Sequence, residues 1–243
     1  MERYQIIFAY DGTQFVGSQR QSGSRTVQFV LEETLRKLGW NGKSILLAGR
    51  TDTGVHASGQ VAAVDLEWRH TEEDLQNALN SNLPPDLAVR STRKVDGKFH
   101  PRFDAVSRHY QYRIYVQPLR DPLRDRYAWR VWPSPDAGLL AEAASRLMGI
   151  HDFAAFGSPP RANGSTVRTV VHSTWTLHQD EWTYDVEADA FLYRMVRRMM
   201  FGQVSVGLGR LDLINFGKAI TEKLPFIAGL ASPAGLTLVE VKY

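Results

Sequence analysis

The pattern of hydrophobic and polar positions divides the first hundred residues into six elements. Residues 3–10 predict a strand, and apolar positions at helical spacing then predict a helix that ends at Gly39. Two short apolar runs, 45–48 and 60–64, predict buried strands, and a capping-box sequence at Thr71 begins a second helix. A half-exposed strand follows, in which one set of alternating positions is Leu87, Val89, Ser91, Arg93 and Val95.

The second half follows a similar order, although no sequence repeat is visible. A strand over residues 108–116 precedes a helix that Ser134-Pro135 begins and that ends at Gly149. A hairpin around Gln179-Asp180, a long helix from about Phe191 and a last strand over residues 236–243 complete it.

Two halves of β-α-β-β-α-β order predict an α+β fold built from two ferredoxin-like units. The predicted boundary lies near Ala105, which gives an N-terminal half of residues 1–105 and a C-terminal half of residues 106–243. A largely antiparallel sheet allows helices to cover one face and leaves the other face open for a catalytic cleft.

Composition narrows the class of protein. Of the 243 residues, 43% are hydrophobic and 23% are charged, as in ordinary soluble globular proteins, and no apolar run approaches membrane-spanning length. The N-terminus enters a strand at once, so we expect no secretory signal. The absence of cysteine excludes disulfides and thiolate metal sites and favours a cytoplasmic protein. The histidines form no metal-binding spacing, so we expect no metal.

The segment between the two buried strands, residues 49–59, is the strongest candidate for chemistry. It holds three glycines and a single carboxylate, Asp52, with Arg50 two residues earlier. Loops held between core strands often position functional side chains. A plainer interpretation is a glycine-rich turn in which Asp52 hydrogen-bonds to its own backbone.

Basic residues also cluster with aromatic residues, a combination typical of nucleic-acid grooves. One cluster leads to Arg102, a second flanks the tyrosine-rich strand at Tyr110, and a third contains Arg197. Each cluster can also be a solvated surface. The loop 157–168, with Arg161 and Arg168, is a further candidate RNA contact or a simple connector.

Motifs along nearly the whole chain resemble the tRNA pseudouridine synthase A family. The signature is Gly49-Arg50-Thr51-Asp52-Thr53-Gly54-Val55-His56-Ala57. In the expected order lie Tyr10-Asp11-Gly12-Thr13, Gln19-Arg20-Gln21, Val27-Gln28, Asn80-Ser81-Asn82-Leu83-Pro84, Phe99-His100-Pro101-Arg102-Phe103, Tyr110-Gln111-Tyr112-Arg113, Asp152-Phe153, Met195-Val196-Arg197 and Gly235-Leu236.

The resemblance implies an isomerase that converts uridine to pseudouridine at positions 38, 39 and 40 of the tRNA anticodon stem-loop, as a homodimer. Asp52 would act at the ribose of the flipped uridine, by covalent attack, charge stabilisation or removal of a sugar proton. Arg197 would pair with Asp52, Tyr110 would stack on the uracil, and Arg50 would help to flip the nucleotide. Arg102 would bind substrate near the cleft entrance. The reaction needs no cofactor, because no redox group or group donor enters.

Three residues depart from the family pattern: Ser18, where tryptophan is usual, Gly157 and Thr237. Two other functions are alternatives. A nucleoside N-glycosidase would call for two carboxylates and an admitted water, whereas the signature loop offers one carboxylate. A non-catalytic RNA-binding protein would use exposed aromatics such as Tyr110 and Tyr112, but it would not need the Asp52 loop.

Overall fold

A computed structural model describes residues 1–159, 161, 163–222 and 229–243. The chain folds as two compact units, one formed by residues 1–106 together with 237–243, and the other by residues 107–236. Within the described residues, no helix is both long and apolar enough to cross a membrane.

The first unit contains six elements in the predicted order. They are β1 (Glu2–Tyr10), α1 (Val27–Lys37), β2 (Leu46–Leu47), β3 (His56–Leu66), α2 (Glu72–Asn80) and β4 (Leu87–Val95). Strand β1 pairs antiparallel with both β3 and β4, and β2 pairs antiparallel with β3. The resulting order β4-β1-β3-β2 is that of a ferredoxin-like unit. The capping box at Thr71 is present, and its side chain accepts from the Asp74 amide.

The final strand, β10 (Leu236–Lys242), differs from the prediction, which placed it in the C-terminal half. It pairs in parallel with β3, Thr237 opposite His56 and Leu238 opposite Ala57, so residues 237–243 belong to the first unit. Gly59 explains how closely the two strands approach, because a Cβ there would lie 2.1 Å from the Val239 carbonyl oxygen. Strand β3 begins at His56, so the loop that the sequence predicts over residues 49–59 ends earlier than expected.

Strand β4 also departs from simple alternation. The register with β1 shifts between Ile7 and Phe8, which pair with Ser91 and Val89. Beyond this bulge Thr92 is buried, while Ser91 and Arg93 are exposed, so the predicted face of alternating positions is wrong past Val89.

The second unit begins with β5 (Ser107–Val116), which pairs antiparallel with β9 (Glu181–Ala188). Strand β8 (Val167–His178) lies between β9 and β7 (Gly149–Asp152), both antiparallel, and short β6 (Trp129–Val131) pairs in parallel with β5. Three helices, α3 (Ala137–Ser145), α4 (Met195–Gly207) and α5 (Leu213–Thr221), complete this unit. The mostly antiparallel strands with packed helices confirm the predicted α+β fold class.

Helix boundaries in this unit correct the sequence-based ones. Helix α3 starts after Asp136, whose side chain accepts from the Leu139 amide, and not at Ser134-Pro135. Helix α4 starts at Met195, because Arg194 adopts a left-handed conformation with φ of 62°. Helix α5 and strands β6 and β7 were not predicted. The two strands, of three and four residues, are too short to show a clear hydrophobic period.

Candidate active site

Thr51, directly before Asp52, is hydrogen-bonded from two sides. Its amide donates to the Ser18 Oγ at 2.8 Å, and its carbonyl accepts from the Ser18 amide at 3.1 Å. The Thr51 hydroxyl lies 2.7 Å from the hydroxyl of Tyr10, at the end of β1. Burial raises the pKa of Tyr10 to about 12, so the phenol stays neutral at physiological pH. The residue between Arg50 and Asp52 is thus fixed through both backbone groups and its side chain.

The following turn is fixed as well. The Val55 amide donates to the Asp52 carbonyl at 3.1 Å, and the Gly54 amide donates to the Phe15 carbonyl at 3.4 Å. The backbone on both sides of Asp52 therefore rests on the segment 11–25, the long loop after β1. Asp52 itself is half-buried, and Arg50 is exposed.

Glycine allows the two segments to approach. A Cβ on Gly12 would lie 2.0 Å from the Val55 carbonyl oxygen, a distance that no side chain can occupy. Gly17 has φ of 74°, and a Cβ there would lie 3.0 Å from the Thr51 carbonyl oxygen. The Tyr10-Asp11-Gly12-Thr13 motif thus has a structural reason in the contact with the signature loop.

His56 has a structural role in this contact. The Gly12 amide donates to its Nδ1 at 3.0 Å, so Nδ1 acts as an acceptor and the ring proton of a neutral His56 lies on Nε2. The Asp11 carboxylate lies 3.2 Å from the same Nδ1, but a nitrogen that accepts from Gly12 cannot also donate to Asp11.

The arginines of the long loop form ion pairs that restrain it. Arg25 donates to both oxygens of Asp86 at 2.8 Å and lies over the Phe15 ring at 4.2 Å. Arg20 pairs at 2.7 Å with Glu32, a fully buried carboxylate that also accepts from the Ile45 amide at 3.1 Å. These bonds connect α1, the loop and the start of β2.

Arg102 lies in the turn after β4. The Arg102 amide donates to the Nδ1 of His100 at 3.2 Å, and its side chain is half-buried. Tyr243 secures this turn, because its hydroxyl donates to the Pro101 carbonyl at 2.8 Å and its ring lies 5.0 Å from that of Phe99. The first unit thus contains three of the five predicted site residues, Arg50, Asp52 and Arg102.

The second unit contains the other two. Tyr110 lies on β5 with 9% exposure, and its ring meets Phe191 edge-on at 5.1 Å. Arg197 lies on the first turn of α4, also with 9% exposure, between the fully buried Met195 and Met199.

Arg197 is hydrogen-bonded to the segment before β10. Its Nε donates to the Ala231 carbonyl at 2.8 Å, and its own carbonyl accepts from the Ala231 amide at 3.2 Å. The neighbouring Tyr112 donates to the Ser232 carbonyl at 2.6 Å. Burial raises the pKa of Tyr112 well above its usual range, and the positive charge of Arg197 opposes that rise. A planar guanidinium with one edge fixed is oriented for a carboxylate.

Glycines explain two further motifs. A Cβ on Gly235 would lie 2.6 Å from the Arg113 carbonyl oxygen and 2.7 Å from the Tyr112 ring, so the Gly235-Leu236 pair lets the chain pass close to β5. A Cβ on Gly157 would lie 2.8 Å from the Tyr193 carbonyl oxygen, which gives this departure from the family pattern a packing reason.

Basic residues of these sequence clusters also form ion pairs within the fold. Lys94 lies 2.8 Å from Glu2, and Arg113 lies 2.6 Å from Glu181. Arg168 lies on β8 and donates to the Ser165 carbonyl at 2.9 Å. Of the loop 157–168, Pro160 and Ala162 lie outside the described residues. In the described ranges, no group of three or more His, Cys, Asp or Glu side chains is arranged to hold a metal ion.

A single aspartate on a loop that is anchored on both sides, in a protein of two mostly antiparallel units, agrees with the site expected for a pseudouridine synthase. The profile of the tRNA pseudouridine synthase family matches residues 6–104 and 143–243. The chain belongs to this family, and it is therefore an isomerase that acts on tRNA.

Curated relatives define the branch of the family. The chain is 39% identical over 251 positions to tRNA pseudouridine synthase A of Chloroflexus aurantiacus, covering all of this chain and 89% of the relative. It is 40% identical over 242 positions to that of Methylacidiphilum infernorum, and the match covers 99% of this chain and 95% of the relative. It is 38% identical over 248 positions to that of Syntrophotalea carbinolica, and the match covers all of this chain and 97% of the relative. The predicted resemblance to tRNA pseudouridine synthase A is confirmed.

Sequence reasoning found the signature loop but missed what anchors it. Tyr10 and Thr51 both belong to motifs of the family, but the sequence does not show that their hydroxyl groups meet, because the two residues are 41 positions apart. Ser18 was singled out only as a departure. Its hydroxyl in place of an expected aromatic was the available signal.

We expect Gly12→Ala to disrupt the loop contact, because the new Cβ would overlap the Val55 carbonyl. To remove this overlap, the two loops would have to separate, and they would then lose the hydrogen bonds that anchor Thr51. The change should lower the free energy of unfolding by about 1–3 kcal/mol, the usual cost of over-packing a well-packed region. Turnover of tRNA should fall as well.

Gly97→Ala is the matched control, because a Cβ there meets nothing within 4 Å. It should leave the denaturation midpoint and the turnover rate unchanged. A Gly12→Ala protein with the midpoint and rate of the control would show that the two loops are not held in contact.

Proposed function

We propose that this enzyme isomerises uridine to pseudouridine at positions 38, 39 and 40 of the tRNA anticodon stem-loop. The observation that supports a site at Asp52 is the anchoring of its backbone, on both sides, to the segment 15–18. Membership of the tRNA pseudouridine synthase A branch supports the choice of tRNA region.

The reaction breaks the bond from N1 of uracil to C1′ of ribose and joins C5 to C1′. The proton lost from C5 balances the proton gained at N1, so the conversion needs no external reactant. As the glycosidic bond breaks, C1′ becomes electron-poor, and the carboxylate of Asp52 acts at this ribose. A rigid loop suits that role, because small displacements of a catalytic group are costly.

Arg197 is proposed to hold the Asp52 carboxylate ionised and oriented. A guanidinium makes parallel hydrogen bonds to a carboxylate and favours its charged form. The Nε–Ala231 bond and the burial of Arg197 support this role, because both restrict the orientation of the guanidinium plane.

The remaining three residues are proposed to bind the nucleotide. Tyr110 offers an aromatic face that stacks on uracil without reading sequence. Arg50, which is exposed two residues before Asp52, is proposed to occupy the gap left by the flipped nucleotide. Arg102, in the turn secured by Tyr243, contacts the tRNA near the cleft entrance.

The protein is also proposed to act as a homodimer in the cytoplasm. A net charge of +3 is small for holding a tRNA on one subunit, and two-fold symmetry doubles each basic cluster. The cysteine-free sequence agrees with a reducing compartment.

Asp52→Asn should abolish pseudouridine formation in unmodified tRNA while the dissociation constant for tRNA stays within about threefold, because the amide preserves shape and removes the charge. Chemical mapping of pseudouridine along the tRNA measures the product and its position. Asp65→Asn is the control, since that carboxylate pairs with Arg3 and takes no part in the proposed site. Turnover by purified Asp52→Asn would refute the role of Asp52, and release of free uracil by the wild type would identify an N-glycosidase.

Arg197→Ala should lose both activity and stability, on the order of 3 kcal/mol, because it removes one partner of a shielded ion pair. Arg197→Lys should also be nearly inactive, since an ammonium cannot bond Ala231 and a carboxylate in one plane.

Two comparisons isolate the pairing. Arg124→Ala removes a half-buried arginine that bonds Asp180 and Glu181, and it should lower stability without changing the rate. The stability losses of Asp52→Asn and Arg197→Ala should not add in the double variant. Strict additivity would show that the two residues are not paired.

Light scattering should give a mass of about twice the 27.5 kDa chain at working concentration, since two-fold pairing is the commonest closed symmetry. The measurement should be repeated at raised salt, which weakens charge contacts but leaves apolar ones. A fully active monomer would exclude the homodimer as the working form.

A further inference from the structure

Ser18 contacts both backbone groups of Thr51. The Thr51 amide donates to its Oγ, and the Ser18 amide donates to the Thr51 carbonyl. That carbonyl belongs to the peptide group that also carries the Asp52 nitrogen. Two hydrogen bonds from one residue therefore define both backbone dihedrals of Thr51 and, through them, the directions of Arg50 and Asp52.

Ser18 is itself attached to a rigid element. Its carbonyl accepts from the Gln28 amide at 2.9 Å, and the Gly17 carbonyl accepts from the Val27 amide at 3.3 Å, both in the first turn of α1. Ser18 is completely buried, and Thr51 is 7% exposed. A continuous path of hydrogen bonds thus runs from helix α1 through Ser18 to the residue before Asp52, with little access for water.

The Ser18 hydroxyl supplies one of the two bonds between this path and Thr51. The Thr51 amide has Ser18 Oγ as its acceptor, and a buried amide that loses its acceptor is costly unless the chain moves. Alanine at position 18 would keep the backbone bond to the Thr51 carbonyl but not the bond to its amide. The peptide between Arg50 and Thr51 would then rotate or shift toward another acceptor.

We propose that Ser18 is a positioning residue for catalysis, whose hydroxyl sets the geometry of Asp52 and Arg50 without touching the tRNA. The proposal rests on the proposed role of Asp52 at the ribose. It also gives a function to a residue that departs from the family pattern: the position usually occupied by tryptophan supplies, in this chain, a hydrogen bond to the signature loop.

The Tyr10 hydroxyl also anchors Thr51, but it contacts the side chain and not the backbone. It contacts the Thr51 side chain at 2.7 Å and leaves the backbone groups to Ser18. Loss of the Tyr10 hydroxyl leaves both Ser18–Thr51 bonds intact. Tyr10→Phe should therefore lower the rate less than Ser18→Ala does.

The test is a single-turnover measurement with unmodified tRNA at saturating enzyme, together with the dissociation constant. Ser18→Ala should lower the rate constant by about ten- to a hundredfold, the effect of displacing a catalytic group by up to about 1 Å. The dissociation constant should change less than the rate constant, because Ser18 is completely buried and only Arg50, of the two residues that it positions, is proposed to bind the tRNA. Hydrogen exchange at the Thr51 amide should accelerate.

Ser173→Ala is the matched control for loss of a buried hydroxyl. Ser173 Oγ donates to the Ala144 carbonyl at 2.8 Å and lies 2.7 Å from the Tyr184 hydroxyl, in the second unit. It should lower the melting temperature and leave the rate unchanged. Ser18→Thr, which keeps a hydroxyl, should recover most of the rate.

If Ser18→Ala does not fold, Ser18→Cys serves instead, because sulfur is similar in shape and a weak acceptor. A wild-type rate in either variant would overturn the proposal, as would an equal loss of rate in Ser173→Ala. A loss of affinity larger than the loss of rate would also overturn it, since Ser18 would then act mainly in binding. Turnover by Asp52→Asn would refute the proposed function on its own, whatever the Ser18 variants do.

Discussion

The hydrogen-bonded contact between the segment 15–18 and Thr51 is the constraint on which the catalytic loop depends. A glycine-bearing loop has many accessible conformations, and an unanchored aspartate in it would sample positions several ångströms apart. Here the backbone on both sides of Asp52 is held by a second loop, which in turn rests on α1 and on the ion pairs of Arg20 and Arg25. Conformational entropy is thereby lost during folding and not during catalysis.

In the second unit a side chain is restrained before the substrate binds, as the loop backbone is in the first. Arg197 has a flexible stem, yet the helix, its burial and the Ala231 carbonyl restrict the plane of its guanidinium. The left-handed Arg194 directly before α4 shows that the start of this helix is set by surrounding structure, because its local conformation is unfavourable for a non-glycine residue. In each unit, a residue of the proposed site follows an irregular segment that several backbone bonds make rigid.

Arginines illustrate why composition is a weak guide to RNA contact. Arg20, Arg25, Arg113 and Arg124 all lie within 3 Å of a carboxylate, so their charge is used within the fold. Arg50 is exposed beside Asp52 instead. Clusters along the sequence could not distinguish these cases, because an ion-pair partner lies as far as 68 residues away, as Glu181 does from Arg113.

The sequence by itself determined the class of fold, the family and the loop that carries Asp52. These follow from local information: hydrophobic period, caps such as Thr71, and a short motif read in order. The tertiary structure alone decided that β10 joins β3, that Thr92 and not Ser91 is buried past the bulge of β4, and that Ser18 holds Thr51. Each of these depends on pairing between distant residues. Such pairing is governed by register and close approach, which a pattern of hydrophobic and polar positions does not contain.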